Sequence, residues 1–241
     1  MPVETVQTIA RHAGPRGEVV LRVRSGLGPD VHELIVNGAF AMDSSETFTE
    51  RRLAELALPG ASRPRRVLVA GLGLGYTAAQ VLGRDIERLD VVEIEECLID
   101  WAYAGLTPTL AAVAADPRTR LLAGDIRPVL AGVPDEPSGP WDAIILDVDN
   151  GPDFLIHGAN DALYAEPSLA AAYARLAPGG TCAIWCQGAV PALLATLRRV
   201  AATADQHLYT RVRDGRRLDY VIYTMTRPGG GAVPARQECG P

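Results

Sequence analysis

One short segment restricts the possible folds more than any other part of the chain. The apolar run 67–70 leads directly into the alternating glycines Gly71, Gly73 and Gly75, and a helix-like stretch follows over 76–83. This order predicts a buried parallel strand, a tight turn and the N-terminus of a helix. Glycines let a backbone approach a ligand closely, and the first helical turn offers free N–H groups. The segment therefore predicts a nucleoside-binding site.

The composition is that of one sizeable globular domain with a small appendage, because 48% of the 241 residues are apolar. The net charge of −6 does not favour nucleic acid as a partner. Residues 1–17 lack the apolar core of a signal peptide, and no apolar run approaches the roughly 20 residues that span a bilayer. We therefore expect a cytoplasmic protein without a membrane partner. The four cysteines lack metal-site spacing, so we expect buried thiols and no metal.

The first region, over 1–58, has strand patterns followed by a helix signal. Residues 18–24 and 33–42 have the pattern of two strands, which predicts a small N-terminal β-hairpin element. Thr47 and Glu50 then have the spacing of a capping box, which predicts the start of a helix that ends near residue 58.

Beyond a loop, apolar and polar segments alternate as repeated β/α units do. Strands are predicted near residues 66–70, 89–93, 119–123, 142–147 and 181–186. Helices are predicted near residues 76–83, 95–103, 126–131, 167–176 and 190–202. Residues 206–213 and 217–226 flank Asp214-Gly215, which predicts a closing antiparallel hairpin. The fold class is α/β over 59–227, and the Gly/Pro-rich tail 228–241 is expected to be disordered.

Acidic side chains stand at three successive strand ends. Glu93 ends the second strand of the series, Asp125 follows the third, and Asp147 follows the fourth. Since the carboxyl ends of parallel strands border one crevice, we expect these carboxylates to converge there. Each has a structural alternative: a solvated strand end for Glu93, a helix cap for Asp125 and a purely structural Asp147. Tyr76 occupies a position where the dinucleotide fingerprint has glycine or alanine, which disfavours a nicotinamide dehydrogenase.

With these motifs the chain resembles the class I S-adenosylmethionine-dependent methyltransferase fold, a Rossmann-like sheet of seven strands. More narrowly, over about residues 34–226 it resembles the spermidine synthase (polyamine aminopropyltransferase) family. The motifs of this resemblance are the glycine turn, Glu93, Gly124-Asp125, Asp147, Gly151-Pro152, Leu163-Tyr164 and Pro178-Gly179-Gly180. The resemblance implies S-adenosylmethionine or its decarboxylated form as co-substrate, no metal, and a small acceptor such as a polyamine or another amine. It also implies a homodimer, since synthases of this type commonly pair.

The resemblance also implies roles for the donor-side residues. The three glycines would contact the amino-acid or aminopropyl part of the donor, and Glu93 would bind the ribose hydroxyls. Asp125 would accept a hydrogen bond from the adenine amino group, with Ile94 and Ile126 flanking the ring. Ordinary core packing is the alternative for both isoleucines.

On the acceptor side, Asp147 is the first catalytic candidate. An amine with a pKa near 10 must lose a proton before it attacks the donor, and a neighbouring carboxylate can hold the cation and accept that proton. Asp149 is a second candidate, with a simple turn as its alternative. Tyr164 is a third candidate that would line the pocket, unless it is only a buried residue before the next helix.

Four further residues are candidates for contact with the acceptor: Asn150, His157, Gln187 and Glu46. Asn150 stands where synthases usually have a second aspartate. His157 is either a base or a solvated loop residue. Gln187 has a surface position as its alternative, and Glu46 has helix capping as its alternative.

Two departures from the family pattern affect the expected reaction. Synthases commonly have an aspartate in the glycine turn, where the amino group of the donor is held, and this chain has Leu74. A tyrosine that they often have near the first helix is replaced by Phe48. We therefore favour methyl transfer slightly. Genuine aminopropyl transfer to a diamine and a catalytically lapsed, nucleoside-binding paralogue are the alternatives.

Overall fold

The computed structural model describes residues 4–26, 28–59, 66–148, 151–152, 155, 158–213 and 215–229. Its first sheet is antiparallel, with four strands side by side in chain order. These strands are β1 (Thr5–Gly14), β2 (Gly17–Gly26), β3 (Gly28–Val36) and β4 (Ala39–Asp43). Most of the predicted loop at 59–64 and of the tail at 228–241, as well as Asp214, lie outside the described residues.

The N-terminal element is larger than the hairpin predicted from the sequence. β1, most of whose residues are exposed, precedes both predicted strands, and a turn at Asn37 and Gly38 divides the predicted strand over 33–42. Both turn residues have positive φ angles, 53° and 75°. A type I′ hairpin turn requires this combination, and Asn-Gly is its strongest sequence signal. The prediction of a single hairpin was therefore wrong, and the Asn-Gly pair indicated the division.

The second sheet has seven strands in the order β10-β11-β9-β8-β5-β6-β7, which confirms the predicted fold class. Its strands are β5 (Arg66–Ala70), β6 (Arg88–Glu93), β7 (Thr119–Ala123), β8 (Trp141–Leu146), β9 (Leu176–Cys186), β10 (Thr203–Arg213) and β11 (Arg216–Thr226). β11 is antiparallel to both of its neighbours, whereas β5 to β9 pair in parallel. The strand order reverses between β5 and β8, and such a reversal opens a crevice at the carboxyl ends of the strands.

Seven α-helices connect the strands in the described part of the chain. They are α1 (Phe48–Ala57), α2 (Tyr76–Leu82), α3 (Glu96–Tyr103), α4 (Pro108–Ala115), α5 (Ile126–Ala131), α6 (Glu166–Ala174) and α7 (Pro191–Val200), and a 3-10 helix spans Gly158–Leu163. α4 was not predicted, because its small apolar residues show no helical periodicity. Its start does have a signal, since the Thr107 side chain accepts a hydrogen bond from the Leu110 N–H at 3.2 Å and Pro108 follows it.

Two hydrophobic clusters cover the two faces of the seven-stranded sheet. Val67 and Val69 of β5 belong to one cluster, and Leu68 and Ala70 belong to the other, as expected for a central strand buried on both faces. The N-terminal sheet packs into the first cluster, to which it contributes Val19, Leu21, Leu34 and Val36. The antiparallel sheet therefore shares its core with α1 to α4 and lies beside the crevice.

No single helix among the described residues is long and apolar enough to cross a membrane; the bent pair α3 and α4, with 88° between them, reaches that length and composition only when both are taken together. Cys97, Cys182 and Cys186 are buried and form no disulfide among the residues that the structure describes, and Cys239 lies outside those residues.

Candidate active site

The turn between β5 and α2 requires glycines because their φ angles are positive and because two of them leave no room for a Cβ atom. Gly71 has a φ of 91°, and a Cβ there would lie 2.0 Å from the carbonyl oxygen of Asp147. Gly73 has a φ of 52°, and a Cβ there would lie 2.7 Å from the Sδ atom of Met42 on β4. Gly75 is the left-handed N-cap residue of α2, with a φ of 86°. The turn therefore lies directly against the end of β8 and against the N-terminal sheet.

Glu93 holds this turn at the end of β6. Its buried carboxylate accepts hydrogen bonds from the N–H groups of Leu72, at 2.6 Å, and Glu95, at 2.8 Å. Burial raises the pKa of Glu93 above its ordinary value. A carboxylate oxygen has the capacity to accept more than one hydrogen bond, so these two bonds leave room for ribose hydroxyls. The alternative of a solvated strand-end carboxylate is wrong, because Glu93 is only 5% exposed.

Asp125 both caps α5 and faces the crevice. It accepts hydrogen bonds from the N–H of Arg127 at 2.9 Å and from its Nε at 2.8 Å. Burial acts to raise the pKa of Asp125, but the hydrogen bonds and charge of Arg127 outweigh it and lower the pKa. The capping alternative is thus confirmed without excluding a ligand contact.

A cavity of about 140 Å³ lies at the carboxyl ends of these strands, and we call it the donor cavity. It brings together most of the donor-side residues predicted from the sequence, namely Gly71, Gly73, Glu93, Ile94, Asp125 and Ile126, and also the acceptor-side candidate Asp147. Gly75 and Leu74 are not among its lining residues, and the Leu74 side chain is buried in the core instead. Leu34, Val36, Ala41 and Met42 form part of its wall, so the N-terminal sheet encloses it.

Two carboxyl groups stand together in the donor cavity. Asp147 accepts a hydrogen bond from the Thr77 hydroxyl at 2.6 Å. Although part of the residue is exposed in the cavity, burial of its carboxyl raises the pKa of Asp147 to about 6. Glu50 on α1 accepts a hydrogen bond from the Thr49 hydroxyl at 2.9 Å. Its burial, followed by the charges of Asp147 and Glu46, raises the pKa of Glu50 to about 7.

Sequence reasoning missed Glu50 because it assigned this residue to a capping box. The Thr47 side chain makes no capping hydrogen bond, so that assignment was wrong. Glu50 points into the cavity, where its carboxyl is close enough to Asp147 for the two charges to interact.

A second cavity of about 320 Å³ adjoins the first, and we call it the outer cavity. The two cavities share Ala41, Met42, Glu50 and Trp185. Two predicted acceptor residues, Glu46 and Gln187, line the outer cavity. Its other lining residues are Phe40, Asp43, Thr49, Leu218 and Tyr220. Glu50 therefore stands where the donor cavity opens into the outer cavity.

The remaining predicted residues lie elsewhere. Tyr164 is buried in the second hydrophobic cluster and is not a lining residue of either cavity. Asp149, Asn150 and His157 lie outside the described residues. No group of three or more potential metal ligands occurs in the part of the chain that the structure describes.

Arg16 contacts two residues that line the donor cavity, and the sequence contains no local signal for this contact. It lies in the turn between β1 and β2, and its Nε donates to the Glu95 carboxylate at 3.0 Å across 79 residues of chain. The same guanidinium donates to the Ile94 carbonyl oxygen. Since Ile94 and Glu95 line the donor cavity, Arg16 ties the N-terminal sheet to the cavity edge.

Comparison with known proteins identifies relatives with two related activities. The chain is 35% identical over 129 residues to putrescine N-methyltransferase 3 of Nicotiana tabacum. The aligned segment covers 53% of this chain and 32% of that protein. The chain is also 31% identical over 153 residues to polyamine aminopropyltransferase 2 of Pseudomonas aeruginosa. The aligned segment covers 63% of this chain and 42% of that protein. The chain thus spans less than half the length of these two relatives.

Solved structures and a family model agree with these relatives. Spermidine synthase in complex with the transition-state analogue AdoDATO superposes with a TM-score of 0.73 at 18% identity, over 92% of this chain and 74% of that chain. Spermidine synthase from Thermotoga maritima gives a TM-score of 0.72 at 17% identity, over 92% and 72%. At such identities the superpositions establish the fold. The family model described as "Spermine/spermidine synthase domain" matches residues 46–203, and the chain therefore belongs to this family.

Proposed function

We propose that this protein is an alkyl transferase that takes a group from a sulfonium nucleoside and moves it to a small amine. S-adenosylmethionine is the favoured donor, methyl transfer is the favoured reaction, and Asp147 is the base or anchor for the amine. The observation that supports this most is the junction of the two cavities, because Glu50 and Asp147 stand beside the groups suited to a nucleoside.

The donor side fits an adenine nucleoside. Glu93 offers carboxylate oxygens to ribose hydroxyls, and Asp125 offers an acceptor to an exocyclic amine. Ile94 and Ile126 provide apolar surface between these two polar positions. The N-terminal sheet would cover a nucleoside bound there and exclude water from the reacting sulfonium.

The reaction is an in-line displacement. The nitrogen lone pair of the amine forms a bond to the transferred carbon, the C–S bond breaks, and its electron pair leaves with sulfur as a neutral thioether. The amine must first lose a proton, for which Asp147 and Glu50 are placed. General bases work best when their pKa is near the working pH, and the raised pKa values of about 6 for Asp147 and about 7 for Glu50 satisfy this condition.

The preference for the carboxylated donor rests on Leu74. Its side chain is buried in the core, so the glycine turn offers no carboxylate at this position to the amino group of the donor. S-adenosylmethionine has its own carboxylate beside that ammonium, whereas the decarboxylated form would find no carboxylate from the glycine turn to pair with its cation. The aminopropyl alternative is supported by the Pseudomonas aeruginosa relative, whose name is that of an aminopropyltransferase.

Titration calorimetry with both donors tests the proposal. We expect S-adenosylmethionine to bind at least about tenfold more tightly than its decarboxylated form, since an unpaired ammonium costs more than 1 kcal/mol. Glu93→Gln should weaken both donors, while Glu96→Gln, at an exposed position on α3, should weaken neither. If only the decarboxylated donor binds tightly, the proposed methyl transfer is wrong and aminopropyl transfer takes its place as the proposed reaction.

A further inference from the structure

Two of the three carboxylates that line the outer cavity, those of Glu46 and Asp43, already accept hydrogen bonds from other groups of the protein. Glu46 accepts hydrogen bonds from Nη2 and Nε of Arg211, at 3.1 and 3.2 Å. The guanidinium also lies over the ring of Phe48, 4.6 Å from its centroid. Asp43 accepts three hydrogen bonds, from the N–H and hydroxyl of Ser45 and from the N–H of Glu46, at 2.8 to 3.1 Å. An incoming cation would therefore have to compete with these donors for Glu46 and Asp43.

Two carboxyl groups of the donor cavity, those of Glu50 and Asp147, have partners of a different kind. Glu50 and Asp147 each accept a hydrogen bond from a neighbouring hydroxyl, and neither forms an ion pair with a residue that the structure describes. An ammonium group placed between these two carboxyl groups would gain two hydrogen-bond acceptors whose ionised forms carry the charge opposite to its own. The capacity to hold a cation is thus concentrated where the transferred group would arrive.

Three aromatic side chains, Phe40, Trp185 and Tyr220, line the outer cavity. The rings of Trp185 and Tyr220 are in contact, with their centroids 5.7 Å apart and their planes inclined by 34°. Aromatic faces pack well against apolar or aromatic groups and also attract cations. A second ammonium that reached Glu46, however, would lie beside the positive guanidinium of Arg211. Two like charges a few ångströms apart repel each other by a few kcal/mol at a protein surface.

We propose that the acceptor is a primary monoamine with an apolar or aromatic tail, and that Arg211 is the residue that discriminates against diamines. The inference rests on the proposed amine transfer and makes its substrate class more specific. A diamine would either displace a guanidinium held by both Glu46 and Phe48, or bury its second ammonium without a partner. This specificity differs from that in the names of the putrescine and polyamine relatives.

Calorimetry on protein saturated with S-adenosylhomocysteine tests the proposal, with butylamine, 2-phenylethylamine and 1,4-diaminobutane as probes. We expect each monoamine to bind at least about tenfold more tightly than the diamine. Arg211→Gln should release Glu46 and reduce this ratio by about tenfold, whereas Glu46→Gln should increase it. Arg199→Gln is the matched control, because Arg199 pairs with Glu166 on the exposed surface, and this variant should leave the ratio unchanged.

The outcomes separate this inference from the proposed function. If S-adenosylhomocysteine does not bind, the proposed function fails. If it binds and the wild type prefers the diamine, or binds none of the amines, only the monoamine inference is overturned. An unchanged ratio in Arg211→Gln would also overturn it, provided that its thermal unfolding matches the wild type. If that variant does not fold, the direction of the Glu46→Gln change decides.

Discussion

Asp147 and Glu50 reach the same cavity from β8 and from α1, and Asp147 is the one that also faces the glycine turn. Asp147→Asn keeps the shape of the side chain and an oxygen that accepts from Thr77, but it removes the basic oxygen. We expect kcat to fall about 10²- to 10⁴-fold with little change in the Kd for S-adenosylhomocysteine. Steady-state kinetics and calorimetry measure the two effects. Asp100→Asn, at an exposed position on α3, is the control. Unchanged turnover in Asp147→Asn would exclude this residue as the base.

Glu50 links the site to the pH dependence of stability. Its pKa is raised to about 7 by burial and by Asp147, whereas the ordinary value is 4.5. The folded protein therefore binds this proton more tightly than the unfolded chain, so the contribution of Glu50 to stability falls as pH rises from about 4.5 to about 7. Glu50→Gln removes this dependence.

We expect the free energy of unfolding of Glu50→Gln, relative to the wild type, to increase by at most about 3 kcal/mol between pH 5 and pH 8. Urea unfolding at the two pH values measures the difference. A constant difference between variant and wild type would show that the carboxyl of Glu50 titrates as it does in water.

At the scale of elements, the turn between β5 and α2 is held in place by contacts of unequal stiffness. A Cβ at Gly71 would strike the backbone oxygen of Asp147, whereas a Cβ at Gly73 would strike the flexible end of Met42. Both residues have positive φ, so both substitutions strain the backbone by about 1 kcal/mol or more. We expect Gly71→Ala to lower the free energy of unfolding by about 3 kcal/mol or more, and Gly73→Ala by about half as much. Chemical denaturation of both variants measures this, and equal losses would contradict the argument.

The central elements could be predicted from the sequence because burial leaves a clear pattern. Residues 67–70 of β5 form a continuous apolar run between Arg66 and Gly71, and the predicted limits 66–70 and 126–131 match β5 and α5. β1 could not be predicted in the same way, because most of its residues are exposed and no face of it alternates clearly. An exposed edge strand forms through pairing with its neighbour, which a local pattern does not record.

The residues of the site also differ in how far the sequence alone predicts them. Glu93, Asp125 and Asp147 could be predicted, since each ends a strand or follows one within two residues and the strand order brings these ends together. Arg211 and Glu46 are separated by 165 residues, and only the packing of β10 beside α1 brings them into contact. Residues that approach a site from distant elements have no spacing that a single sequence reveals.

At the scale of the whole molecule, the donor cavity is bounded by both sheets. Met42 and Val36 approach it from the N-terminal sheet, and Glu93 and Asp147 approach it from the parallel sheet. Arg16 adds a direct bond between the two parts through Glu95. A ligand in this cavity therefore contacts elements that share one hydrophobic core, and its binding energy should stabilise the fold as a whole.

This coupling gives a direct test of whether the nucleoside site is functional or has lapsed. At a ligand concentration of 100 times Kd, binding to the native state adds about 2.7 kcal/mol of stability, which raises the Tm of a chain of this size by roughly 5–10 °C. We expect S-adenosylhomocysteine to produce a shift of this order in thermal unfolding, and Glu93→Gln to reduce the shift. Methylthioadenosine lacks the amino-acid part, so it should shift the Tm less if the turn at Gly71 and Gly73 contacts that part. No shift with either nucleoside at millimolar concentration would favour a lapsed paralogue, because a ligand that binds the native state must stabilise it.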